Sequence, residues 1–314
     1  MIFKLFQLYS CVVWKMIKMK GDLNINYSPL RYPGGKNKIS SLVKLIIEKS
    51  KLTNITYVEP FAGGAGVALS LLFSGSVDHI VINDYDKCIY SVWKAILHDT
   101  ERFVQLIQNA DITIEEWHRQ KNIYLTKNNK YSLELAFATF YLNRTNRSGI
   151  LKAGPIGGYN QNGNYLIDVR FNKKNLINRI REIAKNKNHI SLYNKDIRSF
   201  FNLCLPKYDN VFLYLDPPYY NKGQELYKNF FTDKDHKEIA SCVNQLTCYW
   251  MITYDATSKI TELYENQEFG FFDLSYSVAN NIKASELIIL SDEALWPTND
   301  ELVRNKININ LRRK

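Results

Sequence analysis

Five consecutive residues behind an apolar run are chemically the most suggestive part of this chain. Asp216-Pro217-Pro218-Tyr219-Tyr220 directly follows Val211–Leu215 (VFLYL), a run that reads as a buried strand. A carboxylate, a rigid Pro-Pro turn and an aromatic ring at a strand's C-terminal end can grip a planar amino group. The Asp216 carboxylate and the Pro217 carbonyl can each accept one N–H of an exocyclic amine, and Tyr219 offers a face on which a base can stack. The same residues can equally form a plain structural turn, and taken alone they leave both readings open.

A second constellation is Glu59-Pro60-Phe61-Ala62-Gly63-Gly64-Ala65-Gly66, between the β-branched run Ile55–Glu59 and a helical pattern over Val67–Phe73. Glycines there permit a tight turn and close approach of a ligand, and a helix N-terminus favours a negative group. Asp84 ends the next strand pattern, His79–Asn83, where a carboxylate can accept hydrogen bonds from ribose hydroxyls. The pair suggests an adenosine-containing cofactor; for the glycines alone, tight packing is the alternative. A third motif, Arg31-Tyr32-Pro33-Gly34-Gly35-Lys36, is no phosphate P-loop. Asn37 follows Gly35-Lys36, and Leu30 stands where the leading glycine belongs.

These groups must be set by strands. Strand patterns at 55–59, 79–83, 189–193, 211–215, 249–254, 271–274 and 286–290 alternate with helices, which argues a Rossmann-like α/β fold with a parallel sheet and helices on both faces. Asp86 caps a helix running to about Leu97. From there to about residue 187 the strand pattern stops. Helices are expected at 102–108, 114–124, 132–142 and 173–184, with a Gly- and Asn-rich loop over 143–164. We therefore expect a catalytic domain from 23–94 and 189–314, a mainly helical insertion at 95–188, and a leading segment, 1–22, outside both.

Charge follows the same division. Lys plus Arg number 41 against 31 Asp plus Glu, a net +10. Residues 1–50 and 95–190 each carry net +7, while 191–314 carry net −3. A basic segment in a balanced chain suggests a polyanion partner; a solvated lysine-rich surface is the bland alternative. No apolar run reaches the ~20 residues of a membrane helix. The stretch Ile2–Trp14 is broken by Lys4 and Gln7 and lacks a cleavage site, so a secretory signal fits poorly. Five cysteines at no metal-like spacing, mostly in apolar surroundings, suit a reducing cytoplasm. The five histidines likewise show no metal spacing, and no metal is expected.

Taken together and in this order, the motifs resemble the Dam-like α-class DNA adenine N6-methyltransferases, which depend on S-adenosylmethionine. RYPGGK, EPFAGGAG, IND and DPPYY match that family's motifs, over roughly residues 27–295. The resemblance implies a cofactor pocket from Tyr32, Lys36, Glu59, Phe61, Gly63, Gly64, Gly66, Asp84, Asp196 and Asp216. Lys36 would lie near the methionine end, Asp84 at the ribose and Asp196 near the adenine. It implies a catalytic set of Asp216, Pro217, Pro218 and Tyr219 holding an extruded adenine. The insertion would recognise double-stranded DNA through Asn143, Arg144, Arg147 and Lys152. Arginine suits guanine edges and asparagine adenine, while bracing and phosphate contact are the alternatives. Glu59 stands where many members have Asp. Thr145-Asn146-Arg147 replaces the aromatic residues of the GATC-reading version, so no GATC site is inferred. The resemblance also allows a cognate restriction endonuclease and a monomer or weak dimer. An RNA adenine methyltransferase and a catalytically silent DNA-binding protein are the other readings.

Overall fold

The alternating patterns condense into one eight-stranded sheet. The computed structural model describes residues 26–32, 39–221, 231–275 and 283–314; the leading segment and Lys36 lie outside them. In chain order come α1 (Ser40–Lys49), β1 (Thr56–Glu59), α2 (Gly66–Phe73), β2 (His79–Asn83) and α3 (Lys87–His98). Then follow α4 (Thr100–Asn109), α5 (Ile114–Thr126), α6 (Leu133–Thr145), α7 (Lys173–Lys185), β3 (Ile190–Tyr193) and α8 (Ile197–Leu203). The last part holds β4 (Val211–Leu215), α9 (Asp233–Val243), β5 (Tyr249–Asp255), α10 (Ser258–Leu263), β6 (Glu268–Ser275), β7 (Lys283–Leu290), α11 (Asn299–Arg304) and β8 (Leu311–Arg313).

The sheet order is β3-β2-β1-β4-β5-β7-β6-β8. β1 to β5 pair in parallel, whereas β7 runs antiparallel between β5 and β6, and β8 antiparallel on β6. β1 and β4 are buried at every position, as central strands covered on both faces must be. Their alternating side chains feed two cores: Tyr57 belongs to one and Val58 to the other. The strand order reverses between β1 and β4. In open α/β sheets that reversal leaves a crevice at the carboxyl ends of the strands, where ligands bind. The sequence puts Glu59 at the end of β1 and Asp216 just past β4, so topology alone brings the two motifs together.

Between β2 and β3 lie α3 to α7 and the loop before α7, and Asp86 caps α3 as expected. Asp86, Thr113, Ser132 and Asn172 each accept a first-turn N–H through their side chains. α6 is apolar almost all round and is the central helix of this group, packed against α3 and α5. Its Phe140 meets Phe103 of α4 edge-on, with ring centroids 5.4 Å apart. These helices share one continuous core with α1, α2 and one face of the sheet. Among the described residues no helix is long and apolar enough to cross a membrane.

Candidate active site

A cavity of about 450 Å³ opens at the carboxyl ends of β1, β2, β3 and β4. That is the size range of small-molecule sites. The glycine turn, Asp84, Asp196 and Asp216 all line it, so motifs separated by more than a hundred residues share one space.

The glycine turn is fixed from three directions. Gly63, at φ +47°, donates its N–H to Asp84 Oδ2 (2.9 Å), and its carbonyl accepts from Trp93 Nε1 of α3 (2.8 Å). Buried Asn83 donates to the Pro60 and Lys195 carbonyls and accepts from Lys195 N–H, tying the ends of β1, β2 and β3 together. Glu59 is buried; its Oε1 accepts from the Tyr57 hydroxyl (2.9 Å) and from Ala68 N–H in the first turn of α2 (3.0 Å). The negative group expected at this helix N-terminus is therefore supplied by the protein itself. Half-buried Phe61 stands edge-on to Phe231 at the same cavity, and Gly66 opens α2.

Tyr32 packs its ring across Gly63 and Gly64. A Cβ on Gly63 would lie 2.7 Å from that ring, and the positive φ disfavours a side chain in any case. Gly63→Ala should therefore cost about 1–2 kcal/mol of stability, displace Tyr32 and, on the reading of this turn as a cofactor pocket, weaken cofactor binding about tenfold, read by calorimetric titration. Unchanged affinity would remove this turn from the pocket.

Asp84 sits half-buried at the head of the β2 turn, where its second oxygen accepts from Asp86 N–H (2.9 Å). Burial, reinforced by the nearby Asp86 charge, pushes its carboxyl up to about 7 against the pull of the two N–H donors. Asp196 caps α8 through Ser199 N–H (2.9 Å), a bond that holds its carboxyl below the usual range.

At the β4 tip, Asp216 Oδ1 accepts from Thr253 Oγ1 on neighbouring β5 (3.1 Å). Thr253 has one hydroxyl hydrogen, so Tyr214, 2.8 Å away, donates to it. This Tyr214–Thr253–Asp216 chain sets the orientation of the carboxylate. Pro217 is buried, Pro218 lines the cavity, and the Tyr219 hydroxyl donates to Glu286 Oε1 on β7 (2.5 Å). The Asp255 carboxylate, ending β5, accepts from Tyr220 N–H (2.7 Å) and Asn221 N–H (2.9 Å). Asp255 and Glu286 are direct cross-strand partners. Two acids so placed repel each other, and donors from the Asp216 turn offset that repulsion. Neither residue is among the candidates that the sequence motifs supply. Asp255 carries the same signal as Asp84 and Asp216, an acid closing an apolar strand; Glu286 has only its oddity ahead of an apolar run. His236 is buried behind Tyr220, its Nδ1 3.1 Å from the Tyr254 hydroxyl, and burial lowers its pKa.

The loop residues divide. Asn143, offered by sequence as a base reader, is buried. Its Oδ1 accepts from Arg31 N–H (2.7 Å), and its Nδ2 donates to the Arg31 and Gly149 carbonyls (2.8 and 3.0 Å). Both N–H hydrogens of that amide and one acceptor position of its oxygen brace the loop, the alternative role that the sequence left open for Asn143. Asn146 braces likewise, accepting from Trp117 Nε1 and donating to the Ile150 and Leu151 carbonyls. Arg144 reaches the Arg170 carbonyl. Arg147 and Lys152 are exposed, and Lys152 stands at the cavity.

Residues 32–279 match the family described as D12 class N6 adenine-specific DNA methyltransferase. Among similar proteins is Type II methyltransferase M.MjaIII of Methanocaldococcus jannaschii, 26% identical over 204 residues, 60% of this chain and 68% of the relative. Retron Ec67 DNA adenine methylase of Escherichia coli is 24% identical over 280 residues, 85% of this chain and 92% of the relative. Type II methyltransferase M1.LlaDCHI of Lactococcus lactis subsp. cremoris is 22% identical over 279 residues, 83% and 92% respectively. The family match runs through both the glycine turn and the Asp216 turn, and the chain belongs to the D12 class of N6 adenine-specific DNA methyltransferases.

Proposed function

We propose that this chain transfers a methyl group from S-adenosylmethionine to N6 of an adenine extruded from double-stranded DNA, with Asp216 as its catalytic carboxylate. The observation that carries this reading is the convergence of Asp216 and the glycine turn in one cavity at the sheet's switch point.

The donor set suits that cofactor. Glu59, Asp84, Asp196 and Asp216 line the cavity, and Glu59 already occupies the N-terminus of α2. Such a lining favours a nucleoside bearing positive charge over one bearing phosphates. When bound, S-adenosylmethionine supplies an electrophilic methyl group on a sulfonium. Asp84 is placed to accept from ribose hydroxyls, and the Gly63–Gly66 backbone allows close approach. Asp216, pinned by Thr253, and the Pro217 carbonyl accept the two amine hydrogens, drawing the nitrogen out of conjugation and aiming its lone pair. Tyr219 is the stacking surface, worth ~1–3 kcal/mol against the cost of unstacking. The test is tritiated cofactor supplied with duplex DNA, single-stranded DNA or RNA. Label should enter duplex DNA as N6-methyladenine; exclusive labelling of RNA would overturn the choice of substrate.

A pH dependence follows from Asp84. Accepting two hydroxyl hydrogens requires the ionised carboxylate, and this carboxyl ionises near 7. Cofactor affinity should rise between pH 6 and pH 8, falling by up to about tenfold per unit below pH 7, with proton release on binding at pH 6. Asp84→Asn should flatten the profile. A flat wild-type profile in calorimetric titrations would contradict the ribose role.

A further inference from the structure

Among the described residues six arginines pair with a carboxylate: Arg102 with Asp99, Arg119 with Glu116, Arg181 with Glu101, Arg198 with Glu238, Arg312 with Asp273 and Arg313 with Glu268. Of the six described arginines that do not, four lie together. Arg31, Arg144, Arg170 and Arg179 come from the segment before α1, the end of α6, the turn before α7, and α7 itself, and they converge on one spot. Arg31 Nη1 donates to the Asn146 carbonyl (2.9 Å), Arg144 to the Arg170 carbonyl, and Arg179 Nη1 to the Ser28 carbonyl (3.0 Å). Among the described residues no carboxylate pairs with any of the four. Arg144 feels all three others: burial and their charges pull its pKa down to about 9, so it remains a cation at neutral pH. Burial and the Arg170 charge likewise lower Arg31.

Holding like charges together without a counter-acid is costly at partly buried sites. Backbone carbonyls fix Arg31, Arg144 and Arg179 but do not cancel their charge. Each guanidinium has five N–H donors; these bonds occupy one on Arg31, two on Arg144, one on Arg179 and none on Arg170, so most of each fork remains available. Planar forks of this kind match the paired oxygens of a phosphodiester. Arg31 lines the Asp216 cavity together with Gly149 and Lys152, which sets the cluster at the mouth of the site. We propose that Arg31, Arg144, Arg170 and Arg179 form a phosphodiester clamp holding the target strand beside the nucleotide in the Asp216 cavity. This rests on the DNA-methylating reading above.

The test uses Arg170→Gln, because the Arg170 side chain makes no described hydrogen bond or ion pair, with Arg179→Gln and Arg170→Lys beside it. Affinity of the full chain for two duplexes of unrelated sequence is measured by fluorescence anisotropy across a salt series, and cofactor affinity by calorimetry. Each Gln variant should weaken both duplexes equally, roughly three- to tenfold, and reduce the slope of log K against log salt by about 0.9. Cofactor affinity should stay unchanged, and Arg170→Lys should keep the wild-type slope. Wild-type slopes in both Gln variants would overturn the clamp. So would a fall in cofactor affinity alone, which would reassign the cluster to the cofactor's carboxylate, or a loss confined to one duplex, which would mark a base contact. A wild-type chain that does not bind DNA would instead defeat the functional reading beneath it.

Discussion

Asp216→Ala should leave a folded protein that binds its cofactor and turns over at least about 10³-fold more slowly, roughly 4 kcal/mol in the barrier. The side chain sits at the tip of a strand whose five residues are all buried, held from β5 by Thr253. Removing it should not disturb the sheet. On the proposed mechanism it removes an acceptor needed most when the amine leaves planarity, so the loss belongs in kcat more than in KM. Asp216→Asn keeps one acceptor oxygen and should retain a measurable fraction of the rate. Single-turnover methyl transfer alongside cofactor titration separates these outcomes; near-wild-type turnover in the alanine variant would remove Asp216 from the chemistry.

Asp255→Ala should be the most damaging change at a residue that touches neither amine nor cofactor. Two backbone N–H groups of the Asp216 turn lose their acceptor, which costs about 2–3 kcal/mol in stability. The turn can then shift, and a displacement of order 1 Å at a reacting group costs about 10²-fold in rate. That outcome would make Asp255 a positioning residue. Its signature is a fall in kcat with unchanged cofactor affinity and partial rescue by Asp255→Asn, whose amide oxygen still accepts. A loss of stability without any loss of kcat, measured below the unfolding transition, would reduce Asp255 to a structural prop.

Much of this site is legible in the sequence because its acids close strands that announce themselves. VFLYL and HIVIN are short, apolar and β-branched or aromatic, so the acids behind them can only lie at strand tips. The parallel portion of the sheet follows from the same alternation with helices. Edge geometry does not: a period of two reads alike in parallel and antiparallel strands, and β7 enters between β5 and β6 through pairing that depends on tertiary contacts. β8 is a three-residue strand, Leu311–Arg313, with no apolar run. It is fixed by the open edge of β6 and by Arg313 bonding to Glu268 and Glu293. Glu286 escapes notice because its meaning comes from a partner 67 positions away, the Tyr219 hydroxyl. Asn143 shows the reverse limit. An asparagine beside a Gly-rich loop has the right chemistry for reading adenine and for bracing a backbone, and only its three occupied bonds favour bracing.

The proposed pairing of a carboxylate-bearing turn with a glycine-turn cofactor pocket is tested most directly by a crystal structure of this chain with a duplex and an unreactive analogue of S-adenosylmethionine. The expected result is an adenine swung out of the helix, its N6 about 3 Å from the Asp216 carboxylate, its ring on Tyr219, and the analogue's ribose on Asp84. An adenine still stacked in the duplex, or an analogue bound away from the Gly63–Gly66 backbone with Asp216 beyond hydrogen-bond reach of any base, would contradict it.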